Sequence, residues 1–275
     1  MSQNERAEYL NYLVKQYDGI TRLIAQTKQR LLSLPGDRVA DYDDLLKGVN
    51  AEAGLETVKR RISRDIKNEL KLWPVWSEWL SRVPGIGPGI AGKLIVLYYY
   101  KFTPICKDCG GILEKSDGTL VCSECEHQAK DGVLSYQVVR RDFPTISKWW
   151  AFMGRHTIDG VMPRRKAGVI SNWSSPGRAL GFHIGDQFNR QKSEHPYKAF
   201  LIDRKRKHEG KHPDWSKGHR HNAAKNEAVK LFLSHFWVVA RELDGLPVSD
   251  PYSGVIMGHT NIIRPFYWDC EPVSK

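Results

Sequence analysis

Apolar residues near the start of the chain recur at steps of three and four, with charged side chains between them. Leu10, Leu13, Tyr17, Ile20, Ile24, Thr27 and Leu31 share one stripe, which predicts a heptad-patterned helix ended by Pro35-Gly36-Asp37. A second stripe, Leu55, Val58, Ile62, Ile66 and Leu70, predicts a helix over 55–72. Two such helices fit an antiparallel hairpin, a dimerising coiled coil, or an amphipathic pair packed on the rest of the chain. Lys59, Arg60, Arg61, Arg64 and Lys67 crowd the second helix; such a run is a solvated face or a phosphate-touching one.

Further along, 145–154, 178–190, 196–207 and 223–243 carry helical periodicity, and Tyr136-Gln137-Val138-Val139 alternates as a short strand. Residues 155–178, rich in Gly, Pro, Ser and Arg, read as loop, and those after Leu243 as an irregular tail. The expected fold is mostly α. It has a helical hairpin or coiled coil over 1–75, a helical domain over 76–103 and 133–245, an insert over 104–132, and a tail over 246–275.

The chain has 275 residues, of which 41% are hydrophobic and nine are Trp, enough for packed cores. Its net charge of +11 makes a polyanion the natural partner, because Lys and Arg neutralise phosphates and release counterions. The polar start Met1-Ser2-Gln3-Asn4-Glu5-Arg6 gives no signal peptide, and the apolar run Leu94 to Tyr100 is too short to span a bilayer. A cytoplasmic location is expected, which also suits the use of cysteine.

Cys106-Lys107-Asp108-Cys109 and Cys122-Ser123-Glu124-Cys125 are two CxxC knuckles with twelve residues between them. Each puts two thiolates on one side of a tight turn, and two knuckles complete a tetrahedral site. Residues 111–114 and 119–121 read as hairpin strands around Asp117-Gly118. This is the pattern of a zinc ribbon, with zinc favoured over iron. Four thiolates leave no open position, so the metal is expected to be structural. Cys270 stands alone.

Val83-Pro84-Gly85-Ile86-Gly87-Pro88-Gly89 lies between a helix carrying Trp76, Trp79 and Leu80 and a second that starts at Pro88. It closely resembles the helix-hairpin-helix of DNA repair and recombination proteins. On that resemblance the amides of Gly85, Ile86 and Gly87, with Gly89 at the helix start, cradle one backbone phosphate and Lys93 faces the same charge. Ile86, Ala91, Leu94 and Ile95 pack the two helices together. Some copies of such hairpins only pack inside a protein.

A basic tract, Asp203-Arg204-Lys205-Arg206-Lys207-His208-Glu209-Gly210-Lys211-His212, continues through Lys217, His219, Arg220, His221 and Lys225. It reads as a phosphate-facing loop with Trp215 available for stacking, or as a plain solvated loop. No carboxylate or Cys completes a second metal site with its histidines.

The order of these pieces resembles the C-terminal half of the Piv-invertase-like insertion-sequence transposases, or bridge recombinases. The matching pieces are the hairpin at Pro84 to Gly87, Ala151-Phe152-Met153-Gly154, His195-Pro196-Tyr197-Lys198-Ala199-Phe200, and a long Lys-started helix ending in Ala240-Arg241. The likeness spans about 55–245, interrupted by the cysteine insert. It implies a role in DNA transposition or recombination. The chain lacks the family's ribonuclease-H-like domain with its four acidic metal ligands. The family's nucleophilic Ser lies soon after the Ala-aromatic-x-Gly element, and 155–163 here hold no Ser. Ser171, Ser174 and Ser175 follow as candidates, with Thr157 a further substitute and Arg155, Arg164, Arg165 and Arg178 as phosphate-neutralising groups. The plainer reading has these serines capping a helix that begins near Pro176.

Three expectations follow. The first is a DNA-binding protein of mobile-element or phage origin, acting as an accessory or domesticated factor on DNA or a DNA–RNA structure. The second is a serine-dependent strand transferase completed by a partner chain. The third is a zinc-ribbon adaptor for another protein. The N-terminal heptads suggest a homodimer.

Overall fold

The computed structural model describes residues 1–36, 39–48, 53–116, 119–129, 135–158, 161–249 and 262–268. The chain is mostly helical. Helix α1 (Gln3–Leu31) opens with a capping box in which Ser2 and Glu5 each accept the other's backbone N–H. Its buried positions include Ala7, Leu10, Leu13, Val14 and Ile24. They meet α3 (Leu55–Leu70) and α5 (Pro88–Tyr99) of the same chain. The stripe that suggested a dimer is therefore used inside the molecule, and the N-terminal helices share one core with the rest instead of forming a separate unit. Helix α2 (Val39–Lys47) occupies part of the connection that periodicity left without an element.

The first helix of the hairpin motif is broken. Helix α4 (Pro74–Glu78) stops at Trp79, and a 3₁₀ turn follows over Leu80–Arg82. Trp79 itself is fully buried, stacked on Phe232 at 5.6 Å, and its indole N–H donates to the Phe266 carbonyl at 2.6 Å. Helix α5 does not simply run into the insert. It hands over to β1 (Tyr100–Ile105), which pairs antiparallel with β5 (Ser135–Arg140) in register Tyr100↔Arg140. The cysteine-bearing segment thus sits at the end of a two-stranded stalk, and the insertion is longer than the expected 104–132. On the stalk stand β2 (Leu113–Ser116), β3 (Thr119–Cys122) and β4 (Gln128–Ala129) as one antiparallel sheet. The Asp117-Gly118 turn lies outside the described residues.

Helices α6 (Ile146–Phe152), α7 (Ser175–Arg190), α8 (Pro196–Lys211) and α9 (Lys217–Leu243) complete the body. Tyr98, Phe143, Trp149 and Phe236 meet edge-on or tilted at its centre, the geometry aromatic quadrupoles prefer. Arg241 is buried at 4% exposure and donates to Asp142 (2.8 Å), the Pro247 carbonyl (2.7 Å) and the Phe143 carbonyl (3.1 Å). The tail is irregular as expected, yet Phe266, Tyr267 and Trp268 dock on the core. Cys270 lies outside the described residues.

Candidate functional site

The hairpin is built by one turn. The Ile86 N–H donates to the Val83 carbonyl at 3.1 Å, and Gly85 stands at φ +88°. With Pro84 before it, that is a type II turn, whose third residue must enter the left-handed region that glycine takes without strain. The bond removes one of the three amides expected to face a phosphate, and the Ile86 side chain is buried. Gly87 caps α5 without any side-chain bond and is exposed. Gly89 is different: a Cβ there would stand 2.7 Å from the Tyr17 ring, so it serves the packing of α5 on α1. Lys93 pairs with Asp18 of α1 instead of facing solvent charge. Of the five hairpin residues expected to meet DNA, Gly85 and Gly87 keep that possibility, whereas Ile86, Gly89 and Lys93 are engaged by the fold.

The four cysteines converge. Their sulfurs all lie within 4.8 Å of one another, with Cys106–Cys125 at 3.7 Å, Cys109–Cys122 at 3.4 Å and Cys109–Cys125 at 3.3 Å. A tetrahedral metal with bonds of about 2.3 Å has ligand–ligand edges of about 3.8 Å, so the set could hold a metal ion. The two knuckles repeat one geometry. The N–H of the fourth residue beyond each first cysteine closes on its carbonyl, Gly110 to Cys106 at 3.0 Å and Glu126 to Cys122 at 3.2 Å. Both of those residues have positive φ, +78° and +56°. Backbone N–H groups of Cys125 and Glu124 favour the Cys122 thiolate and bring its pKa down to about 7. Beyond the sulfurs the ribbon is thinly packed, with Cys106, Leu113 and Cys122 buried and Leu120 against them.

The serines are brought near arginines, but not as a reaction centre. Ser174 Oγ accepts the Gly177 N–H at 3.0 Å and caps α7, whose first residue is Ser175. Among the described residues no acid, His or Lys is hydrogen-bonded to the hydroxyl of Ser171, Ser174 or Ser175. Ser171 and Ser175 line an open hollow of about 610 Å³ with Arg165, Lys166 and Trp173. Arg164 and Thr157 are exposed and are not among the residues that line the hollow. Arg178 is spent on the loop: it donates to the Pro163 carbonyl at 2.6 Å and covers the Trp173 ring at 4.9 Å. Arg155 is buried, donating to Asn226 Oδ1 (2.8 Å) and the Arg178 carbonyl (3.1 Å). Burial first, and the Arg178 charge second, press its pKa down to about 10.

The basic tract is helix, not loop. Helix α8 runs to Lys211 because Lys and Arg are good helix formers and no proline interrupts before Pro213. Ser216 then accepts the His219 N–H at 3.2 Å and starts α9 six residues earlier than the apolar pattern predicts. Arg204 pairs with Glu227 (3.1 Å) and Lys207 with Asp203 (2.9 Å), whereas Lys205 and Arg206 make no ion pair among the described residues. Trp215 is not available as expected, since His212 and His219 stack on its two faces at 4.0 and 3.9 Å. The stacked histidines were missed as a unit. The signal was present in His208, His212, Trp215 and His219, which step by four, three and four.

Among the described residues the four cysteines are the one group that could hold a metal, and no helix is long and apolar enough to cross a membrane. No protein-family model, curated protein or solved structure matches this chain.

Proposed function

We propose that this chain is a DNA-binding protein of transposition or recombination, an accessory factor descended from a transposase C-terminal domain. It grips the phosphate backbone with the Val83–Pro88 hairpin and carries a structural zinc ribbon. The observation that carries the reading is Gly87. Its φ is −82°, a value any residue adopts, and nothing stands within 4 Å of where a Cβ would be. The fold therefore does not demand glycine there; close approach of an outside group to the backbone would. That group meets the N-terminus of a 12-residue helix, where unsatisfied amides and the helix dipole favour an anion. The excess of Lys and Arg supplies the attraction over distance. Zinc fits the ribbon because four soft thiolates at tetrahedral spacing satisfy it fully and leave no position for catalysis.

The serine-transferase reading loses its footing in the cap made by Ser174, and its hollow holds no base on a hydroxyl. The test is duplex DNA binding across a salt series for the wild type and Gly87→Ala. Affinity is expected to fall steeply with salt, and Gly87→Ala is expected to weaken it while leaving the melting temperature unchanged. Binding that is absent, indifferent to salt or untouched by Gly87→Ala overturns the hairpin reading and puts the zinc-ribbon adaptor first.

A further inference from the structure

Helices α8 and α9 leave the core together. The last buried residue of α8 is Leu201 and the first of α9 is Ala224, so 202–223 form an arm of exposed and half-buried residues, two helical legs joined by a turn. Ten helical residues make it about 15 Å long. It has little apolar packing of its own. His208 meets Glu227 at 2.7 Å, Arg204 meets the same carboxylate, and Arg220 meets Glu209 at 3.0 Å. Between Asp203 and His221 seven Lys and Arg stand against three acids.

The tip of the arm is a ladder of rings. His212 and Trp215 are 4.0 Å apart and 7° from parallel, Trp215 and His219 are 3.9 Å apart and 6° from parallel, and His208 lies beside this stack, 5.6 Å from Trp215 and 6.2 Å from His212. The middle rung, Trp215, is covered on both sides. The last one is not: His219 is exposed, and among the described residues no ring lies on its outer face. On the same arm Lys205, Arg206, Lys211 and Lys217 are exposed cations that make no ion pair among the described residues.

An open stacking face on an arm that carries unspent positive charge has both parts that unpaired nucleotides need, a platform for a base and countercharge for phosphates. A blunt duplex keeps its bases stacked on one another and could use only the charge. We propose that the tip of the α8–α9 arm binds single-stranded nucleic acid, with one base stacked on the outer face of His219 and the strand's phosphates drawn to the unpaired cations of the arm. This rests on the nucleic-acid reading above but uses a different surface from the hairpin.

The experiment measures anisotropy of labelled probes with the full chain: a ten-nucleotide adenine strand, an abasic strand of the same length, and a blunt duplex. The wild type, His219→Ala, His219→Phe and Gly87→Ala are compared. The wild type is expected to hold the adenine strand about tenfold more tightly than the abasic one, a typical gain for one stacked base. His219→Ala removes that preference, His219→Phe keeps it, and neither changes duplex binding. Equal binding of adenine and abasic strands by the wild type, or an unaltered preference in His219→Ala, overturns the proposal. Loss of the preference in His219→Phe as well overturns stacking as its basis. Duplex binding that depends on Gly87 alongside such a result leaves the hairpin reading standing, whereas a chain that binds no probe removes both.

Discussion

Acidification should loosen the chain at His235, one of the residues that hold the C-terminal segment on the core. His235 is 1% exposed, with Nδ1 2.8 Å from the Tyr197 hydroxyl and Nε2 2.9 Å from the Ile263 carbonyl. A carbonyl only accepts, so Nε2 carries the proton and Nδ1 accepts from Tyr197; the ring is neutral. Burial holds its pKa down at about 4 against an ordinary 6.5, despite the Ile263 carbonyl pulling the other way. Because the folded pKa is the lower one, the unfolded chain binds the proton first. Stability from this group is complete above pH 6.5 and is lost as pH falls toward 4. A shift of that size is about 3 kcal/mol in all, of which about 2 kcal/mol is gone by pH 5. Urea unfolding at pH 7.5 and pH 5 for the wild type and His235→Phe reads it directly. The variant is less stable at pH 7.5, since it strands the Tyr197 hydroxyl, but loses about 2 kcal/mol less than the wild type on acidification. Equal losses in the two proteins would refute a neutral buried imidazole.

Two further outcomes follow from the packing. Chelating the metal from zinc-loaded protein should open 106–129 to protease while the far-ultraviolet signal of the helical body and its melting temperature stay put, because the ribbon shares no buried cluster with that body; resistance unchanged by the chelator would refute the metal's role. Arg241→Met should cost about 3 kcal/mol, seen as a lower urea midpoint, since it removes a buried cation's bonds to Asp142 and two carbonyls; a midpoint within error of the wild type would contradict it.

What the sequence disclosed was local. The cysteine knuckles are legible because metal chemistry fixes their spacing, and the hairpin is legible because Pro84-Gly85 admits few turns. What it concealed was decided by partners far along the chain. Tyr98-Tyr99-Tyr100 reads equally as helix or strand; the register Tyr100↔Arg140, closed across forty residues, makes the last of them strand. Helix α8 carries only Tyr197 and Leu201 as buried anchors, so its charged remainder has no apolar period to betray a helix. Gly89 and Lys93 fit a phosphate site on the hairpin alone, and become packing and ion-pair residues only once α1 brings Tyr17 and Asp18 across them. The docked tail has no period at all; its place is set by Trp79, His235 and Glu242, each bonding to it from another element.

Helix α9 ties two of the candidate surfaces together along its length and meets the stalk of the third at its C-terminal end. Its first turns belong to the arm, where His219 ends the ladder, and Phe232 further along stacks on Trp79 at the root of the hairpin. Thirteen residues of one unbroken helix separate those points, about 20 Å. A helix of that kind does not bend at small cost, so hairpin and arm keep a fixed spacing, and a nucleic acid held at both must carry its unpaired stretch at a set distance from its duplex. The cysteine-bearing lobe itself shares no buried cluster with the body. Its stalk, β1 with β5, joins the body through the end of α5, contacts with α1 and the Arg140–Asp244 pair at the C-terminal end of α9, and its small core is its own. Rearranging the lobe on its metal is therefore expected to leave the geometry of the other two surfaces intact, which suits a module that recruits a partner and not one that carries the phosphate grip.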